Sequence, residues 1–475
     1  MSNFIKIKQA LGTLVLIVNS MIVSATPEVT GEKRTLALEN AVEIARYNDP
    51  WLKGNQHSQD AIESASVAAG TLPDPKMSIG IANIAADTFD FGQEPMTQFK
   101  LGVSQMFARG DSLDLKQQQL SLIGSQFPFQ RQDRKAKVTV LAAKLWLDAY
   151  KAQESIALIE KDRALFEQLA DVAQASYSSA MGKTRQQDII RAQLELTRLD
   201  DRLTMLNQKL EMSQQKLSEW LSQYLGGDYS TGEDGTHFEF SNYILARKMP
   251  NIKMLEKSFY LSEKKVDPQK LFQTFSDHPA VNALDQKIKA SKSSIDLAKQ
   301  KYKPQWGVSA GYGYRGAPQN GNDRSDLFSL GVSFDIPLFT SNRQDKQVQS
   351  AISKSSAVKT EKWLLIRRLI ASFETSRSQL IRLNERQKLY QNRLLPQMHD
   401  QAEASLTAYT NDDGDFSEVV RSRIAELNTA IDFLSINVER QKSIIELNYF
   451  FMNSADQIIS NNSGLAISNS LGEDK

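Results

Sequence analysis

The chain has no cysteine. That excludes disulfides, thiolate metal sites, a cysteine nucleophile and a lipid-modified N-terminal cysteine. Histidine is nearly as scarce. His57, His237, His278 and His399 are scattered, with no pair one helical turn apart and no His-Glu-x-x-His motif. His278 precedes Pro279 and reads as a cap or packing residue. One sign of charge does not dominate: the net charge is +1, so no strong field draws nucleic acid or acidic lipid. Long apolar runs are also missing. Beyond the N-terminus nothing approaches the roughly 18 residues a spanning helix needs, so a membrane crossing would have to be a β-barrel. The Asp-rich stretch Asn411–Asp415 lacks the spaced ligands and closing Glu of a calcium loop. These absences predict a protein that is not an enzyme, holds no cofactor or metal and binds no nucleic acid.

What is present begins with an export signal over residues 1–25. Lys6 and Lys8 form a short basic region, Ala10 to Val18 is mostly apolar, and Val23-Ser24-Ala25 has the small residues of a cleavage site. The remainder repeats itself. Pro50, Pro75 and Leu101-Gly102-Val103-Ser104 recur as Pro279, Pro304 and Leu330-Gly331-Val332-Ser333, each 229 residues later. Asp188-Ile189-Ile190-Arg191 recurs as Glu418-Val419-Val420-Arg421, displaced by 230. Solenoid repeats run at roughly 20 to 50 residues, so this is one large unit used twice. The expected organisation is a first repeat over 26–225, a linker or equatorial region over 226–277, a second repeat over 278–459 and a disordered tail over 460–475.

Each repeat carries two short segments that alternate with period two, at about 76–84 and 97–107 and at about 305–315 and 327–337. Trp306, Val308, Ala310, Tyr312 and Tyr314 share one face, and Gly307, Ser309, Gly311 and Gly313 the other. Phe328, Leu330, Val332, Phe334 and Ile336 alternate with Ser329, Gly331, Ser333 and Asp335. Phe99, Leu101 and Val103 alternate with Lys100, Gly102 and Ser104, and Met77, Ile79 and Ile81 with Ser78, Gly80 and Ala82. Large apolar residues on one face and small or polar ones on the other suit a wall between lipid and lumen, and the lengths suit transmembrane strands. A sandwich with one buried face would show the same alternation. Four strands cannot close a membrane barrel, which takes about eight, and an open sheet in lipid leaves edge groups unpaired. Several chains must therefore pool their strands.

A long polar segment of helical composition follows each strand pair, from about Ser112 to Met181 and from about Asn342 to Thr410. At 1.5 Å per residue each would run roughly 105 Å. Pro128 and Pro396 are expected to kink them. The chain turns at Met181-Gly182-Lys183-Thr184 and at Asn411-Asp412-Asp413-Gly414-Asp415. The returning segments show heptad spacing in Leu196, Leu199, Leu203, Leu206 and Leu210, and in Leu427, Ile431, Leu434 and Val438. The fold class expected is mixed but mainly α: very long antiparallel helical hairpins plus four transmembrane β-strands given to a shared barrel.

Several stretches together resemble the TolC family of outer-membrane efflux channels. They are Leu72-Pro73-Asp74-Pro75, Gly102-Val103-Ser104-Gln105, His278-Pro279-Ala280 and Phe334-Asp335-Ile336-Pro337-Leu338-Phe339, with the tip regions Ala175 to Leu196 and Ala404 to Leu427. The resemblance covers nearly the whole mature chain. It implies a homotrimer with a twelve-stranded barrel in the outer-membrane lipid of a Gram-negative bacterium. Beneath it would lie a helical tunnel in the periplasm that conducts passively and partners a periplasmic adaptor and an inner-membrane pump of the resistance-nodulation-division type. The Leu-Pro-Asp-Pro run looks somewhat like the heavy-metal branch.

The resemblance also implies sites. Gly182, Lys183, Thr184 and Gly414 would form the adaptor-docking tip. Glu418 and Arg421, with Asp412, Asp413 and Asp415, would form a periplasmic gate, although Arg421 puts a cation where the family has a second acid. Trp306, Val308, Tyr312, Phe328, Leu330, Val332, Phe334, Phe99, Leu101 and Val103 would face lipid. Two other readings use the same export signal and helices: a periplasmic coiled-coil adaptor or scaffold without a barrel, and an exit duct for type I protein secretion.

Overall fold

The structure, a computed structural model, describes residues 34–178, 185–223, 240, 243–259, 266–317, 321, 324–411 and 413–451. The expected export signal, the tip residues Gly182, Lys183 and Thr184, the gate candidate Asp412 and the tail over 460–475 lie outside the described residues.

In chain order the elements are β1 (Arg34–Leu36), α1 (Leu38–Asn48), α2 (Pro50–Ala69), β2 (Lys76–Ala82), β3 (Gln98–Met106), α3 (Ser112–Gly124), α4 (Phe127–Ser178), α5 (Gln186–Leu221) and β4 (Tyr243–Leu245). Then come α6 (Pro268–Ser276), α7 (Pro279–Lys299), β5 (Trp306–Tyr314), β6 (Leu327–Phe334), α8 (Gln344–Leu389), α9 (Leu395–Thr410) and α10 (Phe416–Tyr449). Three helices start on one local device, a side-chain acceptor followed by proline. Asp49 accepts from Trp51 N at 3.1 Å, Asp267 from Gln269 N at 3.0 Å and His278 Nδ1 from Ala280 N at 3.2 Å. Proline at the first helical position loses no hydrogen bond, because that N–H has no partner within the helix.

The strands β2, β3, β5 and β6 form one antiparallel sheet in that spatial order. Its centre joins β3 to β5, with Phe99 opposite Tyr314, Leu101 opposite Tyr312 and Val103 opposite Ala310. The outer pairs set Ile79 against Leu101 and Val332 against Val308. The period-two segments thus became strands, but β6 stops at Phe334 where the alternation runs on to about residue 337, and β2 stops at Ala82. Both are edge strands, and an edge has no second partner to hold its ends extended.

The long helical segments are interrupted near both prolines. Residues 112–178 are not one kinked helix: α3 ends at Gly124 and α4 starts at Phe127, so Pro128 occupies the first turn of a new helix. There its missing N–H costs nothing, and the break falls at Ser125 and Gln126 instead. Pro396 acts differently. It follows a widened π turn over Tyr390–Leu394, which links α8 to α9 without breaking the rod. A proline cannot donate to the carbonyl four residues back, and a π turn is a common accommodation of that defect. From Gln344 to Thr410 the rod is about 100 Å long at 1.5 Å per residue.

Among the described residues, three large apolar clusters sit along the rods. The tip cluster holds Ile159, Phe166 and Leu169 of α4, Ile189 and Leu199 of α5, and Phe416, Val419, Val420 and Leu427 of α10. The middle cluster centres on Trp146 and Leu147 with Leu217, Val438 and Ile445, and Trp146 Nε1 donates to Leu36 O at 3.1 Å. A third cluster is aromatic, with Phe275, Phe373 and Phe450 packed at centroid distances of 5.6 to 5.8 Å. The two leucine seams run from the tip cluster to the middle one. Leu199 and Leu427 belong to the first, and Leu210, Leu434 and Val438 to the second. A feature without a sequence signal is the two-stranded parallel pairing of β1 with β4, where Arg34 meets Tyr243. Three-residue strands far apart in the chain leave no periodicity to read.

Candidate functional site

The sheet separates its residues by size. Phe99, Leu101, Val103, Trp306, Val308, Tyr312, Phe328, Leu330, Val332 and Phe334 all fall on one face, because directly opposed residues in an antiparallel sheet share a face. Met77, Ile79 and Ile81 extend it. Every one of these side chains is exposed in the single chain, up to 75% for Leu330, so no described element covers the face. The opposite face carries small residues over most of its area, with Lys76, Gln98, Lys100 and Met106 among its long side chains. Gly102, Gly307, Gly311 and Gly331 lie opposite Ser78, Ser333, Ser329 and Ser309, and a Cβ on Gly331 would sit 2.8 Å from Ser309 Oγ.

Ionic ties join the connections between the sheet and the helices to one another. Arg109, beyond β3, pairs with Asp335, beyond β6, and Asp335 also accepts from Gln305 N at 2.7 Å. Lys303 Nζ reaches Asp111 Oδ2 at 3.1 Å. None of these long-range pairs was singled out from sequence.

At the far end of the rods, the second hairpin turn is well defined. Gly414 is pressed against α9: a Cβ there would lie 2.6 Å from Tyr409 N. Asp413 N donates to Ala408 O at 2.9 Å. Asp415 caps α10, accepting from Ser417 N at 3.0 Å, and Tyr409 packs edge-on against Phe416 at 5.6 Å. Asp415 is thus engaged in holding the turn. Glu418 and Arg421 lie together on the exposed side of α10, opposite buried Val419 and Val420, and Arg421 donates to Glu418 within the same helix. At the first turn, Arg185 N donates to Asp188 Oδ2 at 2.9 Å as α5 begins.

Above the second turn lies a network the sequence did not announce. Arg423, only 11% exposed, donates to Glu403 Oε1 at 2.7 Å and Glu426 Oε2 at 2.9 Å. His399 Nδ1 sits 2.7 Å from Glu426 Oε1, which raises the imidazole above its usual value through that hydrogen bond. The Arg423 hydrogen bond lowers Glu403, and burial raises Asp162 on the neighbouring α4. Only the three-residue spacing of Arg423 and Glu426 was visible in the chain; the bonds to α9 required the hairpin to close.

Buried polar side chains elsewhere do structural work. Tyr449 donates to Asp133 Oδ1 at 2.7 Å, and burial pushes its phenol upward. Burial lowers His278, which packs edge-on against Tyr449 while capping α7. Among the described residues no cluster of His, Asp and Glu has the grouping of a metal site, and no helix is long and apolar enough to cross a membrane.

No family model and no curated protein matches the sequence. Solved structures do match. CusC, whose structures concern folding and transmembrane channel formation, aligns with a TM-score of 0.67 at 12% identity over 87% of this chain and 91% of its own. The outer-membrane channel CmeC of Campylobacter jejuni aligns with a TM-score of 0.66 at 11% identity, covering 88% and 85%. The outer-membrane channel MtrE of Neisseria gonorrhoeae, in its open state, gives 0.64 at 11% identity, covering 87% and 88%. The chain has the fold of these TolC-type channels, long helical hairpins with a four-stranded sheet.

Proposed function

We propose that this chain is the outer-membrane component of a tripartite efflux system, a passive duct that docks through its hairpin tips onto a periplasmic adaptor and an inner-membrane pump. The observation that carries the reading is the sheet. It exposes a broad apolar face, has two edges without a strand partner among the described residues, and stands on helical rods about 100 Å long. A periplasmic scaffold has no use for such a face, since an exposed apolar patch of this size marks a membrane or protein contact. The face suits outer-membrane lipid, and four strands per chain in three copies make a twelve-stranded barrel, within the known size range of membrane barrels.

The tips divide the remaining work. Gly414 and the capped start of α10 make a rigid knob of the kind an adaptor can grip, together with Gly182, Lys183 and Thr184. Glu418 and Arg421, with Asp412, Asp413 and Asp415, would set the field at the mouth. Their pairing within one helix leaves that mouth less acidic than two carboxylates would.

Reconstitution in planar bilayers tests the reading. The purified protein is expected to require detergent for extraction, to migrate differently on gels before and after heating, and to insert as steps of constant conductance. Recovery in an osmotic-shock fraction without detergent, with no conductance, would establish the scaffold instead. In the conducting protein, Glu418→Ala and Arg421→Ala are expected to shift ion selectivity in opposite directions; unchanged leak and selectivity in both would remove the gate.

A further inference from the structure

Two neighbouring cavities below the sheet share a set of cations that no acid neutralises. The first, of about 500 Å³, lies against the end of the sheet and is bounded by Gln305, Asp335, Lys301 and Arg343. The second, of about 610 Å³, shares Lys301 and Arg343 and adds Lys346 and Lys354. We infer that these four side chains form a cationic collar inside the duct. It is a binding station that selects anionic organic solutes, those bearing carboxylate or phosphate groups, as the cargo. This inference rests on the proposed channel and adds to it the charge of what passes.

Charge here is one-sided. Among the described residues none of the four cations has an ion-pair partner. Asp335 is the one carboxylate lining either cavity among the described residues, and Arg109 and Gln305 N already hold it. Asp345, between Arg343 and Lys346 in the chain, accepts from Tyr302 Oη instead. Asp111 and Asp296 are taken by Lys303 and Lys299, at 3.1 and 3.0 Å. The start of α8 adds the positive end of a long helix dipole, since Arg343 places no side-chain cap on it. Gln344, 8% exposed, lines the first cavity with an Oε1 that has no hydrogen-bond partner. A buried amide left so calls for a partner that the single chain does not supply, and a half-turn presents its N–H groups to an anion.

Handedness puts the collar on the side of the small residues, away from the apolar face. Seen from the apolar face with β5 rising, an L-residue whose side chain points at the viewer turns its carbonyl to the right. Trp306 is such a residue and its carbonyl accepts from Phe107 N, so β3 lies right of β5 and β6 left. The helices keep this order, with α7 packed between α3 and α8. On the left, α8 descends and touches α7 at Ser355, whose Oγ meets Ser291 Oγ at 2.9 Å. A right-handed helix descending through that contact carries Ile352 to the near side and Ser350 and Lys354 to the far side. Rising through the same contact, α7 carries Lys292 to the near side and Ser294 and Lys301 to the far one. Both helices therefore turn their cavity-lining residues away from the apolar face. That far side of the sheet carries Lys76 and Lys100, and none of its four strands contains an acid.

Spacing along the rod suits passage as well as binding. Arg343, Lys346, Ser350 and Lys354 follow one another at three- and four-residue steps, over about 16 Å at 1.5 Å per residue. An anion entering the collar meets successive cations along its direction of travel. Conduction needs sites that attract and then release, and several weak ones in line do both. Rings of lysine and arginine favour anions by the same field that repels cations, and low-dielectric walls focus it. The collar sits at the sheet end of α8, and the acidic turn at Asp413 and Asp415 sits beyond the other end of the rod. Their separation far exceeds a Debye length of about 10 Å, so the two fields act independently.

Bilayer recordings under a salt gradient test the collar, with inorganic triphosphate as the probe. Wild-type channels are compared with a quadruple variant carrying Lys301→Gln, Arg343→Gln, Lys346→Gln and Lys354→Gln. The variant is expected to shift its reversal potential toward cations and to need about tenfold more triphosphate for half block. Block of the wild type should weaken as salt is raised. Lys346→Gln with Lys354→Gln, which leaves the start of α8 intact, should give part of both effects and decides alone if the quadruple variant does not assemble. Lys289→Gln with Lys292→Gln, on the near side of α7, should change neither. Native gels should show that the compared variants keep the wild-type oligomer. Channels that conduct but keep wild-type selectivity and block without the collar cations would overturn the collar and leave the duct standing. A shift produced by the near-side pair instead would overturn the placement of the collar. Wild-type protein that never conducts would overturn the duct, and the collar with it.

Discussion

His399 shows how a single side chain can set a pH response at the tip. Its bond to Glu426 raises the imidazole above its usual value of about 6.5. A raised value means that the folded tip binds the proton more tightly than the unfolded chain. The contribution is complete below the ordinary histidine value and is lost as pH rises through the raised one. Glu403 runs the other way: lowered by Arg423, it stabilises above the ordinary carboxylate range and is lost as pH falls through its lowered value. The contact between α9 and α10 is therefore expected to be firmest in mildly acidic solution. Titration of the His399 ring by NMR should give a value above an exposed histidine's, and Glu426→Gln should bring it down. An unchanged titration in that variant would show that the pair does not form in solution.

At the scale of the element, the second hairpin turn depends on one close approach. A Cβ on Gly414 would come within 2.6 Å of Tyr409 N and 2.8 Å of the Ala408 carbonyl carbon. Those are backbone atoms, which cannot rotate aside as a side chain could. Gly414→Ala is expected to displace the turn and weaken the Asp415 cap on α10, whose loss is worth about 1 kcal/mol. Faster hydrogen exchange over Ser417–Arg421, with exchange in the middle cluster unchanged, would show it. The sequence marked this turn correctly as a breaker cluster, because Gly and Asp are informative wherever the backbone must reverse. It misplaced the helix break near Pro128, because a proline's effect depends on whether it falls in a first turn or an interior. That depends on neighbouring residues such as Ser125 and Gln126, which carry no comparable mark.

For the whole molecule, the two faces of the sheet should answer differently to charge. Leu330→Arg places a guanidinium on the apolar face and is expected to cost about 2–4 kcal/mol if that residue lies near the bilayer midplane. Its readout is a lower yield of heat-modifiable oligomer in the membrane fraction. Ser309→Arg, on the opposite face of the sheet in the neighbouring strand, should assemble more nearly as wild type and, in the proposed channel, shift selectivity toward anions in bilayer recordings. Equal assembly of the two variants would mean that lipid does not cover the face.

Alternation, helical composition and breaker clusters are local properties, repeated every two or every few residues, and so they were legible in the chain. They announced four strands with the residues that share each face, long rods and the turn at Gly414. Contacts between residues more than a hundred positions apart were settled only by the tertiary structure. The pairing of β1 with β4, the closure of Arg109 on Asp335 and the burial of Trp146 under Leu36 are of that kind. The network of His399, Glu403, Arg423 and Glu426 belongs with them, although only 27 positions separate its ends, because it forms across a hairpin. Such contacts depend on which surfaces meet after the rods pack, and no local pattern encodes the geometry of that meeting.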